Sequence, residues 1–113
     1  ASRLKAIEDS EQLLAGHNNT TLLKCYMHVS AEKQAERLAE RTTDPTKLWK
    51  HSPRDAAEAA RYAEYLAAYE HIFAQPTAAP WHIIPADQNW YKSLCVARLL
   101  RDALKSMQLA YPA

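Results

Sequence analysis

Apolar residues first recur at helical intervals: Leu4, Ile7, Leu13 and Leu14 stand among charged neighbours over residues 3–15, which predicts an amphipathic helix. Gly16 is placed to end it, because glycine takes the left-handed conformation at a helix terminus without a Cβ penalty. A polar turn at 17–20 follows. From Thr21 to Val29 the run TLLKCYMHV is almost continuously apolar and rich in strand formers, the pattern of a strand buried on both faces in a parallel sheet.

Ser30 then offers a side-chain cap for a helix that should stop before Asp44-Pro45, since the residue before a proline avoids helical dihedrals. Ser52-Pro53-Arg54-Asp55 reads as the next start, with cap, first-turn proline and first-turn acid. The helix it opens carries Tyr62, Tyr65, Tyr69 and Ile72 three or four residues apart, a stripe suited to packing on a core, and Pro76 ends the pattern. After Pro80 the segment WHIIP predicts a second strand. A last helix begins at Asp87, with Trp90, Leu94, Ala97, Leu100, Leu104 and Met107 along one side. The order of helix, strand, two helices, strand and helix is the grammar of an α/β layer with parallel strands. Two strands alone make a poor sheet, so further strands are expected upstream of Ala1.

Composition narrows what such a layer can do. The chain has 113 residues, 48% apolar and 24% charged, enough for one domain or part of one. It contains no apolar run of about 20 residues, which argues against a membrane span, and no signal-peptide pattern, which points to a cytoplasmic protein. A net charge of +1 gives no global attraction to nucleic acid, so specific nucleic-acid binding is not expected and any anion binding is local. Gly16 is the only glycine, which excludes a glycine-rich phosphate cradle from this sequence. Cys25 and Cys95, without CxxC spacing, read as buried thiols of a reducing compartment.

One segment concentrates charge. Arg37 and Arg41 lie one helical turn apart, and Lys47, Lys50 and Arg54 follow with His51 beside them, so five cations surround a helix-to-helix bend. Arginine forks and mobile lysines suit phosphate oxygens. The alternative is a solvated bend with Glu36 and Glu40 pairing at helical spacing. Trp49, between Lys47 and Lys50, needs a surface to pack on and suggests a fixed segment. Ala86 to Asn89, directly after the second strand, is a candidate ligand-facing loop, with helix capping by Asp87 as the plainer role. The five histidines lack metal-site spacing, and no nucleophile motif is visible.

The series LLKCYMHVSAEKQAERL, ERTTDPTKLWKHSPRD, YLAAYE, PWHIIPADQNWY and LAYP resembles the polyphosphate kinase 2 family over nearly the whole chain. Its most specific pieces are R-x-x-D-P-x-K-x-W-K followed by S-x-x-D, and then W-x-x-I-P-A-D. The resemblance implies the C-terminal portion of a three-layer α/β/α P-loop kinase fold of thymidylate-kinase type, with parallel strands, a C-terminal helix and a helical lid over about 30–76. Residues 1–113 would form the C-terminal part of a single domain whose phosphate-loop half lies outside this sequence.

The implied activity is phosphoryl transfer between inorganic polyphosphate and a nucleoside mono- or diphosphate with Mg²⁺, whose ligands would also lie outside. Arg37, Arg41, Lys47, Lys50 and Arg54 become phosphate-binding residues of the lid. Asp87 and Asn89 become a nucleotide-proximal loop. A homo-oligomer, or association with the missing N-terminal half, is the expected assembly. The sequence departs from the family at Tyr62-Ala63-Glu64-Tyr65, where aromatic-Asp-Asp-Tyr is usual, and at Asn89, where a basic residue usually precedes Trp90; both bear on nucleotide preference. The alternatives are a non-catalytic helical interaction module and a general polyanion binder.

Overall fold

A computed structural model describes residues 2–17 and 19–112. Helix α1 spans Ser2–His17. It runs through Gly16, which does not adopt positive φ; the left-handed residue is Asn19, with φ 53°. Asparagine tolerates that region through its short polar side chain, and the Thr20 N–H donates back to the Leu14 carbonyl at 3.3 Å. The helix therefore ends one residue beyond Gly16, and the left-handed residue lies three beyond it. The side that α1 turns inward carries Leu4 with two acids and not the rest of the apolar stripe. Glu8 accepts the Ala78 N–H at 2.6 Å, and Glu11 holds Lys24 at 3.0 Å, while Ile7 and Leu13 are more than half exposed.

Strand β1 covers Lys24–His28 and pairs in parallel with β2, Trp81–Pro85, in the register Lys24 to Trp81 through His28 to Pro85. The Ala86 N–H extends the ladder to the His28 carbonyl at 2.8 Å. β1 is shorter than its apolar run and is half-buried rather than buried on both faces, because among the described residues the sheet has two strands. The core is correspondingly small: Ala79, Ile84 and Ala86 are the buried hydrophobic residues. Lys24 is fixed on three sides, by Glu11, by the Thr77 hydroxyl at 3.1 Å and by the Trp81 ring at 4.5 Å from its centroid.

Helix α5, Asn89–Ser106, packs against β2. Its half-buried positions include Cys95, Val96, Leu99 and Ala103, and the expected stripe of Trp90, Leu94, Ala97, Leu100 and Leu104 is exposed instead. α5 has two apolar stripes, and only tertiary contact decides which one is covered. It begins at Asn89, two residues after the predicted start. Both cysteines are half-buried free thiols, not buried ones.

Contacts divide the chain into two units, Ala1–His28 with Pro76–Ala113, and Val29–Gln75. The second unit is helical. α2, Ala31–Thr43, starts as predicted at Ser30, whose hydroxyl accepts the Lys33 N–H at 3.2 Å, and stops before Asp44. A single 3-10 turn occupies Leu48–Lys50. The helix expected from Ser52 to Pro76 is two helices, α3 at Asp55–Ala60 and α4 at Tyr62–Phe73, divided at Arg61, where φ −97° and ψ 13° leave the helical region. The tyrosine stripe is only partly covered. Tyr62, Leu66, Ile72 and Phe73 are half-buried, with the Tyr62 hydroxyl donating to the Val29 carbonyl at 2.7 Å, whereas Tyr65 and Tyr69 are exposed. No helix among the described residues is long and apolar enough to cross a membrane.

Candidate functional site

The basic elbow lies within the Val29–Gln75 unit and is built by its turns. Asp44 ends α2 and accepts both the Thr46 N–H, at 2.9 Å, and the Thr46 hydroxyl, at 2.7 Å. These bonds hold the Asp44 carboxyl below its ordinary range, first through the hydroxyl and then through the amide. The closed turn brings Lys47 back along α2 until its Nζ lies 2.6 Å from Glu40 and 3.9 Å from Asp44. The hydrogen bond to Glu40 raises Lys47 above the usual lysine range, and the same bond lowers Glu40. Both groups are therefore charged at neutral pH.

On the other arm of the elbow, Ser52 and Asp55 form the reciprocal bonds of a helix start. The Asp55 carboxylate accepts the Ser52 N–H at 3.2 Å, while the Ser52 hydroxyl accepts the Arg54 N–H at 3.3 Å. α3 is assigned from Asp55, but the capping chemistry expected of Ser52 is present. Asp55 also accepts Arg41 Nη1 at 3.0 Å, and His51 Nδ1 lies 3.8 Å from its other oxygen. The Ser52 amide first, then Arg41, hold the Asp55 carboxyl below its ordinary range. Arg41 Nη1 also approaches the Lys50 carbonyl at 3.4 Å, so one guanidinium ties α2 to the turn and to the start of α3.

Four of the five cations fall into two kinds, and Arg37 stands apart. Arg41 and Lys47 are half-buried and spent on internal carboxylates. Lys50 and Arg54 are exposed and have no ion pair among the described residues. Arg37 is half-buried on α2, near enough to Lys47 for their like charges to oppose each other. Trp49 does not fix the segment by packing, because it is 78% exposed with Lys50 Nζ 5.2 Å from its ring centroid. The turn is fixed by ion pairs and backbone bonds. Sequence reasoning named these residues but missed two of their pairings, Asp55 with Arg41 and Glu40 with Lys47. The start signal at Ser52 marked Asp55 as a first-turn acid, not as a partner of Arg41, and Glu40 and Lys47 are seven residues apart, beyond helical pair spacing.

Asp87 and Asn89 belong to the other unit. Asp87 is half-buried directly after Ala86, at the carboxyl end of β2, and Asn89 opens α5 with its side-chain oxygen 3.5 Å from Lys92 Nζ. Gln88 occupies the cap position without a side-chain cap bond. No group of three or more histidine, cysteine or acidic residues that could hold a metal exists among the described residues.

The polyphosphate kinase 2 family profile matches residues 1–112. The chain belongs to the polyphosphate kinase 2 family. The chain is 35% identical to the AMP/ADP-polyphosphate phosphotransferase of Meiothermus ruber over 112 residues, 97% of this chain and 42% of that protein. It is 39% identical over 112 residues to an uncharacterized protein in the chlN 3′ region of Leptolyngbya boryana, covering 97% of this chain and 82% of that one. The crystal structure of polyphosphate kinase 2 from Arthrobacter aurescens TC1 superposes with a TM-score of 0.90 at 39% identity, over 99% of this chain and 40% of that one. The chain thus spans about two fifths of the length of the named phosphotransferase and of the solved structure.

Proposed function

We propose that this chain supplies the anion-gripping part of a polyphosphate:nucleotide phosphotransferase, working with a phosphate-loop portion of the domain that its 113 residues do not contain. The observation that carries the reading is the elbow: two exposed cations, Lys50 and Arg54, without an ion pair among the described residues, beside a turn whose geometry is held by Arg41, Lys47 and their carboxylates. Phosphoryl transfer requires mainly positive charge placed around the moving group and its neighbours. Residues 30–76 act in this reading as the lid of a three-layer P-loop kinase domain. Lys50 and Arg54 meet phosphate oxygens first, Arg37, Arg41 and Lys47 add charge behind them, and Asp87 with Asn89 lies near the nucleotide.

Magnesium enters only as the family's cofactor. The acids of the elbow do not suit it: Glu40 and Asp55 each hold a cation, and Asp44 is occupied by Thr46. Alone, the chain is expected to bind polyphosphate without transferring its phosphoryl groups, because nothing in it cradles nucleotide phosphates.

The test is polyphosphate-dependent phosphotransfer to AMP, ADP and GDP by the product of the complete coding sequence. Lys47→Ala and Arg41→Ala are expected to reduce turnover by about tenfold or more, less than the roughly hundredfold of losing a direct contact, because they act from behind Lys50 and Arg54 and hold the turn. Unchanged turnover in both variants would refute the assignment. A second reading, a helical interaction module, draws on the exposed apolar stripe of α5; it predicts concentration-dependent association or partner binding that Leu100→Glu abolishes, with no polyphosphate affinity.

A further inference from the structure

The elbow already contains anions of its own. Glu40 Oε2 sits 2.6 Å from Lys47 Nζ, with Asp44 at 3.9 Å, so a phosphate arriving at Lys47 meets an occupied cation. Lys50 and Arg54, by contrast, have no carboxylate to surrender among the described residues. Lys50 stands one turn from Lys47, its N–H donating to the Lys47 carbonyl at 3.0 Å. A small phosphate ion that binds Lys50 has no further group with which to compete for Lys47. A chain of phosphates does: once one unit is anchored, its neighbours stand near Lys47 at high effective concentration and can exchange with Glu40.

We propose that Glu40 is a specificity-determining counter-ion, which makes occupation of Lys47 conditional on a ligand long enough to be anchored first on Lys50 and Arg54. This deepens the polyphosphate reading and rests on it. Glu40 discriminates against orthophosphate and short oligophosphates in favour of long linear polyphosphate, without touching the reacting group. The bond that holds it is charge-assisted but half exposed, 39% on the lysine and 38% on the glutamate, so it is exchangeable rather than permanent. Direct measurement suits such a weak lock. Glu36 provides the matching control, since it is an exposed acid on the same helix whose ion-pair partner is Lys33 at 3.1 Å, not one of the five cations of the elbow.

The experiment is calorimetric titration of the 113-residue chain, as wild type, Glu40→Gln and Glu36→Gln, with tripolyphosphate and with polyphosphate of about 100 units at fixed ionic strength. Circular dichroism verifies that all three fold. Glu40→Gln should tighten tripolyphosphate about two- to fivefold, the scale of an exposed ion pair, and change the long chain by less, so that the affinity ratio narrows. Glu36→Gln should leave the ratio at its wild-type value, because removing a charge from α2 in general acts on both ligands. If Glu40→Gln weakens tripolyphosphate, Glu40 orients Lys47 and the proposal is overturned; an unmoved ratio, or the same narrowing in Glu36→Gln, overturns it as well. Failure of the wild type to bind long polyphosphate at all would remove the function proposed above along with this inference, whereas binding with an unmoved ratio removes this inference alone.

Discussion

The two units of the molecule are held by different forces. The unit carrying β1, β2, α1 and α5 contains the buried hydrophobic residues Ala79, Ile84 and Ala86. None of the described residues of the Val29–Gln75 unit is buried, and its turns are closed by Lys47 with Glu40, Arg41 with Asp55, Thr46 with Asp44, and the Ser52–Asp55 cap. Apolar burial is strong and indifferent to pH, whereas exposed ion pairs are weak, exchangeable and sensitive to salt. A region whose own charges can let go is suited to meeting a charged ligand.

The sharpest way to break this contrast is to open the small core. Ile84→Ala, at a position 3% exposed, should cost about 2–4 kcal/mol, read from urea unfolding followed by far-ultraviolet circular dichroism. Ser30→Ala removes the hydroxyl that caps α2 and should cost about 1 kcal/mol, visible as faster amide exchange at Lys33 and its neighbours.

Acid should act selectively. Glu40, Asp44 and Asp55 are all lowered in the folded state, so their contribution is present above the unfolded carboxyl range and is lost as pH falls below about 4. Lys47 is raised, so its share is present below the unfolded lysine range and fades only as pH climbs past it. Amide exchange at Ser52 should therefore accelerate on acidification relative to amides of β2, once the intrinsic pH dependence of exchange is removed. Equal behaviour of the two units would sink the contrast. The smallest effect is expected from Trp49→Ala: at 78% exposure its loss should move stability by no more than about 0.5 kcal/mol.

Short-range chemistry was legible in the sequence. The Ser30 cap, the stop before Asp44-Pro45 and the WHIIP strand follow from a few residues each, and the structure has them. Features that depend on distant neighbours were not. α1 turns Glu8 and Glu11 inward because Ala78 and Lys24 are there to receive them, a pairing no periodicity announces. The choice between the two stripes of α5, and the break at Arg61, belong to the same category. At the elbow, the cations were visible as a charge run. Which of them are spent internally was not, because the Asp44–Thr46 turn sets the approach of Lys47 to Glu40.

The parallel pairing of β1 with β2 has a consequence for the time course of folding. Two parallel strands cannot be joined by a tight turn, and here the whole Val29–Gln75 unit lies between them. The sheet pays for one long loop closure before its first ladder bond forms, but that cost grows only logarithmically with loop length. Helices α2 to α4 can therefore form early on local contacts, while β1 and β2 meet late and set the slow step. Residues inserted in an exposed turn of the intervening unit should slow sheet formation only slightly, leaving this helical segment free to vary in length.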